Sequence, residues 1–544
     1  MNNSTQRYQL WPQMLLCFVG CTLAIAFLFF PIFSGKDWEV IMIASPLELF
    51  NTELLATLCL SMVISVLITF RTLYVLGGRE PVIHLSGQER ISNSKVRSHA
   101  KSRLNKLCQS DPMGKGIHLH PYVQIPMRTE LGNILIFGQQ GSGKSTVIKP
   151  IIKEIKDRED LLFIYDRKNE YTPLFLDSSS ILINPCDRRS AQWDIGSDVR
   201  TEQDAFLVSQ CLIEETDDPL WSTGARLLLT AFFIILINRE KRCSWYSLSK
   251  LLGKTDHELF PLINKHYPQA AVFINQNSKT TQGFLVTLVK EMHWIRQLAD
   301  NWKPQDKHMF SIRRWAKGRQ SNVNTLIVAH DESSSELSSK LCNAMFSVMV
   351  SDILTLEDSS ERRIWFSLDE LSSLKKNESL EKWLRLGRSK GARTIAGVQA
   401  LSQIKSIYGS DKAETIFSLF GSIIALRMGS TGEAARYASA AFGEQQVERQ
   451  LVSLNSGGER TTNFQVSFEP VIRAEELINL EVSSRGVSGL LMVQAGGGAV
   501  YELLWKYPEL PKIADPVLAV TKNSEKSLKV SNKDQNNRLR RNRR

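Results

Sequence analysis

The sequence predicts an α/β fold: a layered, mainly parallel sheet that follows two membrane-crossing helices and is interrupted by an all-α insertion. Three observations carry this. Runs rich in Ile, Leu and Val recur between residues 131 and 426 and alternate with helical patterns, as suits strands buried on both faces of a parallel sheet. Between about 200 and 310 the strand-like runs stop and helical periodicity takes over. Near the N-terminus, two uncharged stretches are each long enough to cross hydrocarbon about 30 Å thick.

The spans come first in the chain. Met14–Phe33 is 20 residues without a charge, and Leu54–Phe70 is another 17, closed by Arg71. The first run is Phe-rich, lacks a small-residue exit and is soon followed by the second span, so it does not read as a cleaved signal. The connector 34–53 sets Lys36 against Asp37, Glu39, Glu48 and Glu53, whereas Arg7 precedes the first span and Arg71, Arg79, Arg90, Lys95 and Arg97 follow the second. Positive charge stays inside, so both termini and the bulk of the chain are expected in the cytoplasm, with a short periplasmic connector.

Residues 77–125 read as an irregular, partly extended lead-in. Strands are expected at 131–137, 161–165, 180–184, 324–329, 364–368, 393–398 and 421–426, with helices at 144–157, 335–356, 376–389, 400–407 and 431–441. The insertion is expected to hold helices at 202–213, 220–239, 246–253, 257–266 and 279–299. The resulting division is a membrane anchor (1–76), a nucleotide-binding domain in two parts (77–199 and 316–516), an all-α inserted domain (200–315) and a basic disordered tail (517–544).

Composition narrows the class. With 544 residues, two or three domains are expected. At 43% apolar and 23% charged residues, disordered and fibrous proteins are excluded. The 67 Lys/Arg against 56 Asp/Glu give +11, but residues 522–544 carry +7 of this and residues 71–117 carry +6. The remainder is slightly acidic, so a nucleic-acid reading cannot rest on overall charge. The 71–117 segment lies just inside the membrane, where lysine and arginine also bind anionic lipid. Eight cysteines without paired spacing indicate neither a disulfide framework nor a zinc site.

The motif with the clearest chemistry is Gly138-Gln139-Gln140-Gly141-Ser142-Gly143-Lys144-Ser145, between a predicted strand and a predicted helix, with Thr146 following. Glycines let backbone N–H groups curl around phosphate oxygens, and the helix N-terminus adds favourable potential. Lys144 would reach the β- and γ-phosphates of ATP, and the Ser145 hydroxyl would coordinate Mg²⁺. A loop of this kind needs a carboxylate from a neighbouring strand. IWFSLDE at 364–370 supplies two: Asp369 for the metal and Glu370 to activate the attacking water. Asp166, ending LLFIYD, is the rival acid, but its context DRKNEY reads as a structural or DNA-side loop. Gln399 closes the next strand and could sense the γ-phosphate or orient water. Hydrolysis in such folds is often completed by an arginine from a neighbouring subunit, for which Arg388 and Arg427 are the candidates.

Taken in order, the motifs resemble the TraD/TraG-type coupling proteins of conjugative type IV secretion systems. The carrying segments are 138–145, Asp166–Tyr171, NPCDRRSAQWDI at 184–195, WSTGARLLL at 221–229, FSIRRW at 310–315, LDELSSL at 368–374 and LRLGRSKGARTIAGVQALSQI at 384–404. The resemblance implies a RecA-like P-loop ATPase domain interrupted by an all-α domain, anchored in the cell inner membrane as a homo-hexamer with a central channel. It implies that ATP hydrolysis drives single-stranded DNA, with its relaxase, toward the channel of the secretion system, through contacts with relaxosome proteins and channel components. It supports Lys144 and Ser145 for nucleotide and Mg²⁺, Asp369 and Glu370 for hydrolysis and Gln399 as a sensor. The alternatives are a coupling ATPase that delivers only proteins and an FtsK/HerA-like double-stranded DNA translocase. A nucleotide-gated scaffold without activity would not need Glu370.

Overall fold

The computed structural model describes residues 60–66, 82–92, 94–271, 274, 278–302, 308–319, 322–331, 334–430, 432–454 and 460–520. Residues 60–66, within the second predicted span, are helical; the first span and the rest of the second lie outside the described residues, as does 521–544. The chain forms two compact units, one of residues up to Ser86 with Gln446–Glu469, the other of Gly87–Gln445 and residues from Pro470 onward. The first contains most of a three-stranded sheet in which Glu444–Leu454 lies between Ile83–Gly87 and Arg460–Pro470.

The second unit is built on an eleven-stranded sheet. In chain order its main strands are β1 (Glu89–Ile91), β2 (Ile134–Phe137), β3 (Leu161–Asp166), β4 (Ser180–Ile183), β5 (Thr325–Ala329), β6 (Ile364–Leu368), β7 (Ala392–Val398), β8 (Ser422–Ala425), β9 (Gly486–Met492) and β10 (Ala499–Trp505). They lie in the order β1-β10-β9-β8-β2-β7-β6-β3-β5-β4, and Val482–Ser483 pairs with β9. From β8 to β4 every neighbouring pair is parallel. β9 runs antiparallel to both β8 and β10.

The seven predicted strand runs become β2 to β8. Side chains alternate between two cores, as a two-residue period requires. Leu135, Phe137, Phe163 and Tyr165 face one; Ile134, Ile136, Leu162 and Ile164 face the other. Both faces of the parallel strands are therefore buried, which is why they read as unbroken apolar runs.

The lead-in expected to be irregular is not. Ser94–Ser110 forms a 17-residue helix, α1, and Lys115–His120 pairs antiparallel with Val123–Pro126. The helix buries only Val96, Ala100, Leu104 and Cys108, a four-residue spacing that makes a narrow stripe among basic residues. Lys144–Asp157 forms α2 directly after the glycine-rich loop.

Apart from the short strand Met309–Phe310, the regular structure described in the insertion is helical, with α3 (Glu202–Leu212), α4 (Pro219–Glu240), α5 (Trp245–Leu252), α6 (Asp256–His266), α7 (Lys279–Glu291) and α8 (Ile295–Asn301) as its longer helices. Among the described residues α4 alone is long and apolar enough to cross a membrane, but it is mostly buried as the core helix of the insertion. The two ends of the insertion meet where Gln192–Trp193 pairs in parallel with Met309–Phe310. Buried Asp198 locks that junction: its carboxylate accepts from Trp193 Nε1 (2.7 Å), Ser311 Oγ (2.5 Å) and Ile312 N (2.9 Å). The segments QWDI and FSIRRW are thus the hinge pins of the inserted domain.

Candidate active site

The glycine-rich loop leaves β2 and enters α2 through Gly143, whose φ of +92° a side chain would strain. A Cβ there would also lie 2.4 Å from Val487 Cγ2. The first N–H groups of a helix lack partners within it, so the start of α2 presents donors and positive potential to the cleft above. That cleft has a volume of about 710 Å³, within the range of small-molecule sites, and Gln139, Gln140, Gly141, Gly143, Lys144, Ser145 and Thr146 line it. Gly138 and Ser142 form the base of the loop, where a Cβ on Gly138 would lie 2.2 Å from Ser142 Oγ.

Lys144 is 5% exposed, and its Nζ donates to the carbonyl of Gly138 at 2.7 Å. Burial pushes this ammonium below its ordinary value, against the pull of Glu370 and Asp369. Ser145 Oγ lies 3.5 Å from Asp369 Oδ1. Tyr171 Oη donates to the same oxygen at 3.3 Å, and Lys168 Nζ lies 3.5 Å from Asp369 Oδ2. A hydroxyl and a carboxylate beside a phosphate-type loop are the donor set that a hydrated Mg²⁺ takes. Glu370 is 5% exposed. Its Oε1 accepts from Ser372 Oγ (2.9 Å) and its Oε2 has no hydrogen-bond partner. Burial raises its carboxyl above the usual range, partly offset by Lys144.

The strand that carries these acids is not adjacent to β2: β7 lies between β2 and β6. It passes so close that a Cβ on Gly397 would lie 2.1 Å from the Asp369 carbonyl oxygen. β7 ends just before Gln399, whose backbone N–H helps to offset the upward push of burial on the Glu370 carboxyl. Lys144, Ser145, Asp369, Glu370 and Gln399 therefore converge at the C-terminal ends of three parallel strands, where open α/β sheets place their ligands.

Asp166 does not join them. Its oxygens accept from Glu170 N (2.9 Å), Tyr171 N (3.0 Å), Thr172 N (2.7 Å) and Thr172 Oγ1 (2.7 Å), so it shapes its own loop. The later residues of that loop do reach the cleft: Lys168 and Glu170 line it, and Glu170 pairs with Lys149 at 3.0 Å. The two arginines part company. Arg427 follows β8, and its carbonyl accepts from Gln139 N at 2.9 Å, beside the loop of its own chain. Arg388 is exposed in the turn Gly387–Lys390 before β7, at the opposite end of that strand from Gln399. Seven residues separate those ends by on the order of 20 Å.

Two features escaped sequence reasoning. Tyr171 bonds Asp369 although 198 residues separate them. Tyr507, Pro508 and Leu510, beyond β10, also line the cleft.

Comparison with known proteins adds four findings. The family model described as type IV secretion-system coupling protein DNA-binding domain matches residues 118–498. The coupling protein TraD of Escherichia coli strain K12 is 24% identical over 411 residues, 74% of this chain and 56% of TraD; the chain thus spans little more than half the length of that relative. The bacterial conjugative coupling protein TrwBdeltaN70 shares the fold, with a TM-score of 0.67 at 22% identity over 81% of this chain and 98% of TrwBdeltaN70. A structure of plasmid coupling protein TrwB in complex with ADP and Mg²⁺ matches with a TM-score of 0.66 at 22% identity, over 81% and 99% of the two chains.

Proposed function

Because the chain belongs to the type IV secretion-system coupling proteins, we propose that it is an ATPase that binds Mg²⁺ and ATP in the cleft above α2 and uses hydrolysis to move single-stranded DNA, with its relaxase, toward a secretion channel. The observation that carries this is the meeting of Lys144, Ser145 and Asp369 around one cleft, with the free oxygen of Glu370 buried beside them. Residues 138–146 hold the phosphates. Ser145 and Asp369 would hold Mg²⁺, which would neutralise charge that develops on the phosphate oxygens.

Glu370 takes the proton of the attacking water. Its raised carboxyl makes it a stronger base than an exposed glutamate, and its unpartnered Oε2 has an acceptor site to offer. Gln399, whose backbone N–H faces Glu370, stands where a side chain can orient that water. Of the two arginines, Arg388 suits a contribution in trans: it is exposed and far from its own cleft, as a residue that completes a neighbour's site must be. Arg427 suits a role beside its own loop. This reading includes a homo-hexamer anchored in the inner membrane by the two N-terminal spans, with the catalytic part in the cytoplasm.

The test is the steady-state ATPase rate of the full chain in detergent, with and without single-stranded DNA, across a salt series. Stimulation that weakens as salt rises is expected for a motor that grips phosphates. Activity indifferent to DNA would favour delivery of proteins alone, and preferential stimulation by duplex DNA would favour a double-stranded translocase. Lys144→Ala should lower turnover roughly a hundredfold or more.

A further inference from the structure

The cleft has two chemically different walls. One is the glycine-rich loop with Lys144, Lys149 and Lys168, suited to anionic oxygens; the other is the tyrosine ring, pyrrolidine ring and aliphatic side chain of Tyr507, Pro508 and Leu510. These three come from residues 506–520, which leave the sheet after β10 and run without helix or strand. Tyr507 is held in place by its Oη, which donates to the carbonyl of Ser483 at 3.0 Å, while 48% of the residue stays open to solvent.

Further along, this strap is fastened down. Ile513 N donates to Pro173 O (2.8 Å), Leu518 N to Asp187 Oδ2 (2.9 Å) and Val520 N to Cys186 O (3.1 Å). In return Arg188 N donates to Leu518 O (2.9 Å) and Arg189 Nη1 to Asp515 O (2.8 Å). The buried carboxylate of Asp187, paired with Arg189 at 2.6 Å, is the centre of the clamp. The segment NPCDRR, singled out in the sequence and unused by the hydrolysis site, thus has a structural task. It fixes a C-terminal segment that would otherwise have no reason to lie over a nucleotide cleft.

We propose that this strap is the nucleoside-binding wall of the site, with Tyr507, Pro508 and Leu510 against the base and ribose of ATP and the 184–189 loop as its clamp. The proposal rests on the reading of the cleft as an ATP site. A nucleotide is an anionic tail joined to a flat aromatic ring, and the two walls match its two ends. Stacking on an aromatic face is tolerant of base identity, so the strap adds affinity for nucleosides over bare phosphates.

The test separates the two walls by comparing MgATP with Mg-tripolyphosphate, which has the phosphates and no nucleoside, in calorimetric titrations of the full chain in detergent. Tyr507→Ala should weaken MgATP binding about tenfold and leave tripolyphosphate binding unchanged, whereas Tyr507→Phe, which keeps the ring, should retain MgATP affinity. Asp187→Ala should shift the same ratio in the same direction by releasing the strap. Equal weakening of both ligands by Tyr507→Ala, or unchanged MgATP binding, would overturn the proposal. Lys144→Ala should weaken both ligands; if it weakened neither, the ATP-site reading would be the one to fail.

Discussion

The parallel strands β2, β3, β6 and β7 carry buried charges at both of their ends, and the two clusters are built differently. At the N-terminal ends stand Glu130, Asp160, Arg158, Arg363 and Arg393. Arg393 Nε meets Glu130 Oε2 at 2.9 Å, Arg158 Nη1 meets Glu130 Oε1 at 2.7 Å, and Arg158 bridges to Asp160. Ile117 N also donates to Glu130 (2.8 Å), and Arg363 Nε and Trp365 Nε1 reach Asp160 at 2.5 and 3.0 Å. Every oxygen of these two carboxylates is taken. At the C-terminal ends, Lys144 turns back to a loop carbonyl, Asp369 makes only long contacts of 3.3–3.5 Å, and Glu370 leaves one oxygen without a partner. A saturated carboxylate has no acceptor left for chemistry and belongs to structure; an unsaturated one has a vacancy to fill. Burial and charge type do not distinguish the two clusters; saturation of the carboxylate oxygens does, even though Arg158 Nε and Arg393 Nη2 in the first cluster have no partner.

Substitutions should break the two clusters in opposite ways. The largest effect is expected at Glu370. Glu370→Gln should lower ATP turnover about 10²- to 10⁴-fold while MgATP binding persists. The same change should raise the melting temperature. The sign follows from linkage. A carboxyl raised in the fold binds its proton more tightly there than in the unfolded chain, so its contribution favours folding below the unfolded value and is lost as pH rises through the folded value. At neutral pH this buried glutamate destabilises the fold, and the neutral amide relieves that. Melting curves beside turnover rates check both halves.

Glu130→Ala is expected to do the reverse. It strands Arg393 and part of the pairing of Arg158, at a cost of about 3–5 kcal/mol, read by denaturant unfolding. Turnover per folded molecule should survive. If Glu130→Ala removed turnover without loss of stability, the division of labour between the two ends would be wrong.

A subtler effect sharpens the comparison. The acid limb of the turnover–pH profile should lie above the ordinary glutamate range, because Glu370 must be ionised to accept a proton and burial raises its carboxyl. Gly397→Ala should act at both levels: a Cβ there would meet the Asp369 carbonyl oxygen at 2.1 Å and Lys144 Cδ at 3.3 Å, so it should lower stability as well as turnover, read by melting curves beside turnover rates.

Much of this was legible in the sequence because it is local. Strands buried on both faces announce themselves by unbroken apolar runs, and GQQGSGKS joins its whole phosphate-binding geometry in one segment. What was not legible depends on pairing at a distance. β9 (GVSGLLM) contains two glycines and β10 (AVYELLW) a glutamate, so neither reads as a core strand until each finds the other. Helix α1 hides a four-residue stripe behind basic side chains. The strap 506–520 has no periodicity at all, because the partners that fasten its later residues lie more than 300 residues earlier. By position Asp166 rivals Asp369 as a metal-side acid, while its context DRKNEY reads as a structural or DNA-side loop; its four bonds to residues 170–172 show where its valences go.

The most direct measurement is the ATP turnover of Glu370→Gln and Glu130→Gln side by side in the full chain, normalised to folded protein and stimulated with single-stranded DNA. Loss of turnover in the first, with turnover per folded molecule retained in the second, is the expected result. Wild-type turnover in Glu370→Gln would contradict the account, because the vacancy at Glu370 would then have no part in hydrolysis.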